Sequence, residues 1–200
     1  MWSSSGSNAA NHRRWLRASL AALAIVLAAA APGLANAAAN DAVRATGADW
    51  RDAVPQAQPL GGGDLTWFGL RIYRATLWSA QRPFDASQPF ALQLHYYRSI
   101  SRSRLVDTSI AEIKRLNATP PDEATLARWR ALLTTAFVDV NDGDELIGVY
   151  LPGHGMRLYD RQRLLAELDD QQLARAFFDI WLNEKSRDQT LRRRLLGAQP

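Results

Sequence analysis

The sequence predicts an α+β domain, an antiparallel sheet with helices packed on one face. Three observations predict it. Residues 65–97 alternate apolar and polar side chains around a hairpin glycine, as half-buried antiparallel strands do. Residues 104–137 change to a helical period, and a second hairpin at 145–159 precedes a closing helical segment at 169–197. Runs of strands and runs of helices, without strict β-α-β alternation, point away from a parallel sheet.

Taken in order, residues 49–60 hold Pro55, Pro59 and Trp50, which suits an irregular or edge element. Gly61-Gly62-Gly63 reads as a flexible lead-in or a bulge. No Lys-Ser/Thr follows it, so it does not read as a phosphate loop. Leu65–Phe68 and Leu70–Trp78 form a predicted hairpin around Gly69. Alternation puts Leu70, Ile72, Arg74, Thr76 and Trp78 on one face and Arg71, Tyr73, Ala75 and Leu77 on the other. Phe90–Tyr97 is the next strand. Val106, Ile110 and Ile113 mark one face of a helix over Arg104–Leu116. After Pro120-Pro121, Asp122 caps a second helix that buries Leu126, Trp129, Leu133, Ala136 and Phe137. Asp139–Asp144 is a turn into the second hairpin, Glu145–Leu151 and Met156–Tyr159, with Pro152–Gly155 at its tip; Leu164-Leu165 extends this meander. Asp169 or Asp170 caps a helix with Leu173, Phe177, Ile180 and Trp181 on its apolar stripe. A short helix, Leu191–Leu196, ends at Gly197.

The amino terminus reads as a cleavable export signal over residues 1–37. Arg13, Arg14 and Arg17 form a basic region, Ala18–Ala31 is a short apolar run, and Ala35-Asn36-Ala37 offers a small-x-small cut site. Residues 38–48 form a flexible leader and 49–200 the domain. The chain carries 24 Lys and Arg against 20 Asp and Glu; without the three signal arginines the balance is 21 against 20. That leaves no basic footprint for nucleic acid. The absence of cysteine excludes disulfides, thiolate metal sites, a cysteine nucleophile and a lipid-modified amino-terminal cysteine. The expected product is soluble and periplasmic or secreted by a Sec-type signal, with no stable membrane insertion after cleavage. Its oligomeric state is not specified.

No motif names a catalytic residue, a metal site or a cofactor. Past the signal, His95 and His154 lack ligand-spaced partners, and Asp139–Asp144 misplaces the glycine of a calcium loop and lacks its closing glutamate. No G-x-S-x-G elbow occurs, and Asp142, Asp144 and Glu145 sit in an exposed turn where paired-carboxylate chemistry is not favoured. The basic runs Arg98/Arg102/Arg104 and Arg192-Arg193-Arg194 read as solvated faces or helix-end complements. Arg71, Tyr73 and Arg74 on one strand and Tyr96, Tyr97 and Arg98 on the next admit two readings. They form a cleft that binds a carboxylate or phenolate head group, or an outward strand face with snorkelling arginines and an aromatic ladder. The residues alone favour the second.

As an ordered set, GGGDLTWFGLRIYRATLW (61–78), PFALQLHYYR (89–98), DVNDGD (139–144), GVYLPGHG (148–155), AFFDIWL (176–182) and LRRRLLG (191–197) resemble the bacterial exported chalcone isomerase-like proteins. The resemblance implies an open-faced β-sandwich, a large antiparallel sheet covered by helices. Plant chalcone isomerases hold a phenolate with an arginine, threonines, a tyrosine and an asparagine. Laying the glycine-rich hairpin on theirs puts Gly63 near the arginine's place and Arg74 near the first threonine's; Ile180 falls near the second threonine's. Losing the cation at a developing oxyanion removes a major stabilising interaction. Some plant relatives bind fatty acids without catalysis. The resemblance therefore implies a non-catalytic periplasmic protein binding a small amphiphile, such as a fatty acid, in a sheet–helix cleft. An isomerase or lyase acting on a phenolic substrate and a cell-envelope interaction module without a small ligand are the alternatives.

Overall fold

The computed structural model of the chain describes residues 49–117 and 119–198; the expected signal and leader, residues 1–48, lie outside the described residues. A single 3-10 turn, Trp50–Ala53, leads into strands β1 (Gln58–Trp67), β2 (Leu70–Ser79) and β3 (Phe90–Tyr96). Helices α1 (Arg102–Leu116) and α2 (Glu123–Ala136) follow. Strands β4 (Glu145–Leu151), β5 (Gly155–Tyr159) and β6 (Leu164–Leu168) complete the sheet, and α3 (Gln171–Leu182) and α4 (Gln189–Leu195) close the chain. The six strands lie in sequence order, every neighbour antiparallel. This is the predicted α+β architecture.

Each helix begins on a short polar cap. Ser101, Asp122, Asp170 and Asp188 accept hydrogen bonds from the backbone N–H three residues on, at 3.3, 2.7, 2.9 and 2.8 Å. These bonds satisfy donors that a helix start would otherwise leave unpaired. The α1–α2 excursion is pinned at its base, where Ile100 and Val140 exchange backbone bonds of 2.9 and 3.0 Å. Helix α3 lies over β4 and β5, and α4 lies over β1 and β2. Helix α1 packs chiefly on α2 and α3, so space remains between it and the middle of the sheet.

The helix-facing side of the sheet carries the main core, including Ala75, Leu77, Phe90, Leu92, Leu146 and Leu158. On the opposite side, the turn at Trp50 covers a smaller core of Trp50, Val54, Ala91, Ile147, Val149 and Tyr159. The segment read as an irregular or edge element is thus a patch over the open face. Its Trp50 ring meets Trp78 edge-on at 5.2 Å, and the Arg51 guanidinium lies 4.3 Å from the centre of the Trp50 ring.

Two register shifts decide which side chains face the helices. The first, between Pro59 and Gly61, leaves Leu60 as an extra residue in β1. The glycine triplet lies within β1; the helix above it accounts for Gly61 and Gly63, whereas a Cβ on Gly62 would stand 2.8 Å from the Ala75 carbonyl oxygen of β2. A Cβ on Gly61 would stand 1.9 Å from the Arg194 carbonyl oxygen of α4. The second shift leaves Ile72 as an extra residue in β2, since Leu65 pairs with Tyr73 and Thr66 with Arg71. Bulges of this kind reverse the alternation beyond them. Simple alternation places Arg71 beside Tyr73; the bulge separates them instead.

Candidate functional site

Between the sheet and helices α1, α3 and α4 lies a cavity of about 840 Å³. Its walls are mostly apolar. Leu92, Leu94, Leu146 and Leu158 rise from the sheet, and Phe177 and Phe178 descend from α3. The size and lining are those of a pocket for a small organic ligand.

Tyr73 and Tyr96, both among the sequence-predicted site residues, line this cavity. They are directly paired across β2 and β3, and their rings meet edge-on at 5.8 Å. Trp181 of α3 donates its indole N–H to the Tyr73 hydroxyl at 2.9 Å. The Tyr73 proton remains available to another acceptor. Tyr96 is 2% exposed, and no described side chain hydrogen-bonds its hydroxyl. Burial pushes the Tyr96 phenol up, and the nearby Tyr73 pushes in the same direction. Burial likewise raises Tyr73, with the Trp181 N–H partly opposing it. Both phenols are therefore protonated at neutral pH and act as donors.

The other four predicted residues assemble elsewhere. Arg71, Arg74 and Tyr97 converge on Asp64 of β1. Arg71 approaches it at 3.2 Å and Arg74 at 3.4 Å, and the Tyr97 hydroxyl donates to it at 3.4 Å. The Arg71 guanidinium also lies 3.9 Å from the centre of the Tyr97 ring. Arg98 donates from Nε to the Arg71 carbonyl at 3.2 Å. The six residues thus divide into a tyrosine pair in the cavity and an arginine–tyrosine cluster around Asp64. The cluster supplies the partner that an arginine in a strand requires.

The cavity also has a charged border that the sequence reading did not assign to a site. Glu112 of α1 receives Arg187 through two bonds, at 2.9 and 2.5 Å, and Arg115 at 2.8 and 2.9 Å. Burial would raise the Glu112 carboxyl, but the two guanidinium groups prevail and hold it below the ordinary range. Arg104 lines the cavity from the first turn of α1 and has no carboxylate partner among the described residues. A signal for these residues exists in the sequence. Arg104, Thr108 and Glu112 follow one another at i, i+4 and i+8, a polar stripe beside the apolar one. Trp181 was legible as core; its buried N–H needed an acceptor.

The positions implied by the family resemblance also find their places. Ile180 lines the cavity. Gly63 abuts α4, where an added Cβ would meet Leu191 at 3.1 Å and Arg194 at 3.2 Å. Arg74 belongs to the Asp64 cluster. Among the described residues there is no group of acids and histidines that could hold a metal ion, and no helix long and apolar enough to cross a membrane.

The family described as chalcone isomerase-like matches residues 66–197. Among solved structures, the fatty-acid binding protein of Arabidopsis thaliana superposes with a TM-score of 0.55 at 12% identity, covering 72% of this chain and 88% of that one. At that identity the likeness is one of fold. No curated protein matches the chain.

Proposed function

Because the chain belongs to the chalcone isomerase-like family, we propose that it is a non-catalytic, exported binding protein that holds a small amphiphile of the fatty-acid class. The observation that carries the proposal is an apolar cavity of about 840 Å³ whose wall presents two protonated tyrosines. The leucine and phenylalanine walls suit an alkyl tail. The Tyr73 and Tyr96 hydroxyls offer hydrogen bonds to a carboxylate, and Arg104 offers a countercharge on the same lining. Catalysis on a phenolic substrate calls for a cation fixed at the developing oxyanion. The resemblance places that arginine near Gly63, a position with no side chain that Leu191 and Arg194 of α4 crowd.

Native mass spectrometry of the protein recovered from whole cells of its own source, followed by titration with saturated and unsaturated fatty acids, tests the proposal. One bound acid per chain is expected, together with a change in tryptophan emission because Trp181 and Trp67 line the cavity. No co-purifying lipid and no affinity across the panel would overturn it. Export is tested in the same spectrum, where an intact mass beginning near residue 38 is expected and retention of Met1 refutes it.

A further inference from the structure

The β1–β2 turn carries side chains that the fold does not use. Phe68 and Gly69 have φ of 48° and 75°, both in the left-handed region. Tight hairpins favour such turns, but they normally place asparagine or glycine at the first position. A bulky residue there is strained. Phe68 is nevertheless 88% exposed, Trp67 is 55% exposed and Leu70 is 49% exposed. Phe68 meets the Trp67 ring edge-on at 5.1 Å. Three large apolar side chains within four residues therefore face solvent, one of them in a conformation that disfavours it.

The tip also projects. Tyr73 pairs with Tyr96 at the end of β3, the last backbone–backbone bond across that pair of strands runs from the Tyr97 N–H to the Ile72 carbonyl, and beyond it only the Arg98 side chain reaches the Arg71 carbonyl. The turn stands about three residues, or roughly 10 Å, beyond this point. At its base, one carboxylate, Asp64, faces Arg71, Arg74 and the adjoining Arg98. The acids of the α2–β4 connection lie at the same end of the sheet but two strands inward from β2, where they have their own partners: Asp139 accepts from the Arg102 N–H at 2.6 Å, and Asp144 lies near Arg161. Trp67 belongs both to the tip and to the lining of the cavity, which Arg104 also borders.

We propose that this tip docks on an anionic lipid bilayer. Trp67, Phe68 and Leu70 enter the interfacial layer, Arg71, Arg98 and Arg104 meet lipid phosphates, and the cavity mouth comes against the membrane. Aromatic side chains with flanking cations are suited to that layer, and the projection matches its depth. The protrusion is narrow beside the roughly 800 Å² per partner of a standard protein interface, which favours a bilayer over a protein. Docking as such stands apart from the cavity proposal; only its use for loading and releasing the amphiphile rests on that reading.

The chain has no cysteine, so Phe68→Cys and His154→Cys can each carry one environment-sensitive fluorophore. His154 is exposed in the β4–β5 turn, at the other end of the sheet. With vesicles of phosphatidylethanolamine and a minority of phosphatidylglycerol, the label at 68 is expected to brighten and shift to the blue while that at 154 stays constant. The response should weaken when salt shortens the screening length to about 3 Å. Phe68→Asn should lower vesicle affinity about tenfold or more and raise the thermal midpoint, because asparagine tolerates this backbone. Its fatty-acid affinity in solution should be unchanged. No response at 68, an equal response at 154, or Phe68-dependent self-association without a vesicle response overturns docking. A vesicle response without fatty-acid binding supports docking and removes only the cavity proposal.

Discussion

Tyr96 and Tyr73 are the same residue type in the same cavity, yet they should respond differently to the same change. The Tyr96 hydroxyl has no described partner, so Tyr96→Phe removes a hydrogen-bond donor to the proposed ligand and nothing from the fold. Fatty-acid affinity is expected to fall about 3- to 30-fold with unchanged thermal stability. In contrast, Tyr73→Phe leaves the buried Trp181 N–H without its acceptor. It should weaken binding and also reduce stability by about 1–3 kcal/mol. Isothermal titration and denaturant melts of both variants separate the two effects. Sequence alternation could bring Tyr73 and Tyr96 onto adjacent strands, but it could not assign Arg71. The extra residue at Ile72 turns Arg71 towards Asp64, and a bulge depends on pairing between strands that one strand's pattern does not record.

At the scale of elements, most of the fold was legible because strand and helix periods repeat over several residues. Asp122 announced α2, and the stripe of Leu173, Phe177, Ile180 and Trp181 announced α3. The glycine triplet was not legible as part of β1, because the cause at Gly61 and Gly63 lies far along the chain. The backbone of α4 approaches Gly61 so closely that a methyl group cannot fit. Gly61→Ala is therefore expected to displace α4 and destabilise the protein by about 3 kcal/mol, the upper end for overpacking. Because Leu191 of α4 also lines the cavity, ligand binding should fall with stability. Gly69→Ala makes a useful contrast. Open space surrounds that position, and only its positive φ opposes a side chain, with an expected loss of about 1 kcal/mol. Chemical denaturation of the two variants should rank them in that order.

At the scale of the whole molecule, three half-buried or buried carboxylates tie separate elements together. Glu112 joins α1 to the α3–α4 loop through Arg187, and Asp170 joins the start of α3 to Arg128 and Trp129 of α2. Glu145 joins β4 to Arg161 in the β5–β6 turn and to Gln93 of β3. At each, burial opposes ionisation but is outweighed. Arginines prevail at Glu112, Arg161 and Gln93 at Glu145, and the Leu173 N–H with Arg128 and Trp129 at Asp170. All three are held below their ordinary values, so the unfolded chain binds their protons at higher pH than the folded one does. Their contribution is fully present above the ordinary carboxylate range and is lost as pH falls through the lowered native values. Asp179 has the opposite sign. Burial raises it despite Asn183 and Arg175, so its contribution is present in acid and lost as pH rises through the raised value. Urea melts should accordingly show stability nearly level from about pH 7 to about pH 5 and declining below. Glu112→Gln should cost about 1–3 kcal/mol at neutral pH, towards the lower end because Arg187 is largely exposed, and should flatten the acid decline. Asp179→Asn should raise neutral stability and make the fall towards acid larger, because it removes the contribution of opposite sign. An unchanged acid slope in Glu112→Gln would show that this carboxylate does not carry the pH dependence assigned to it.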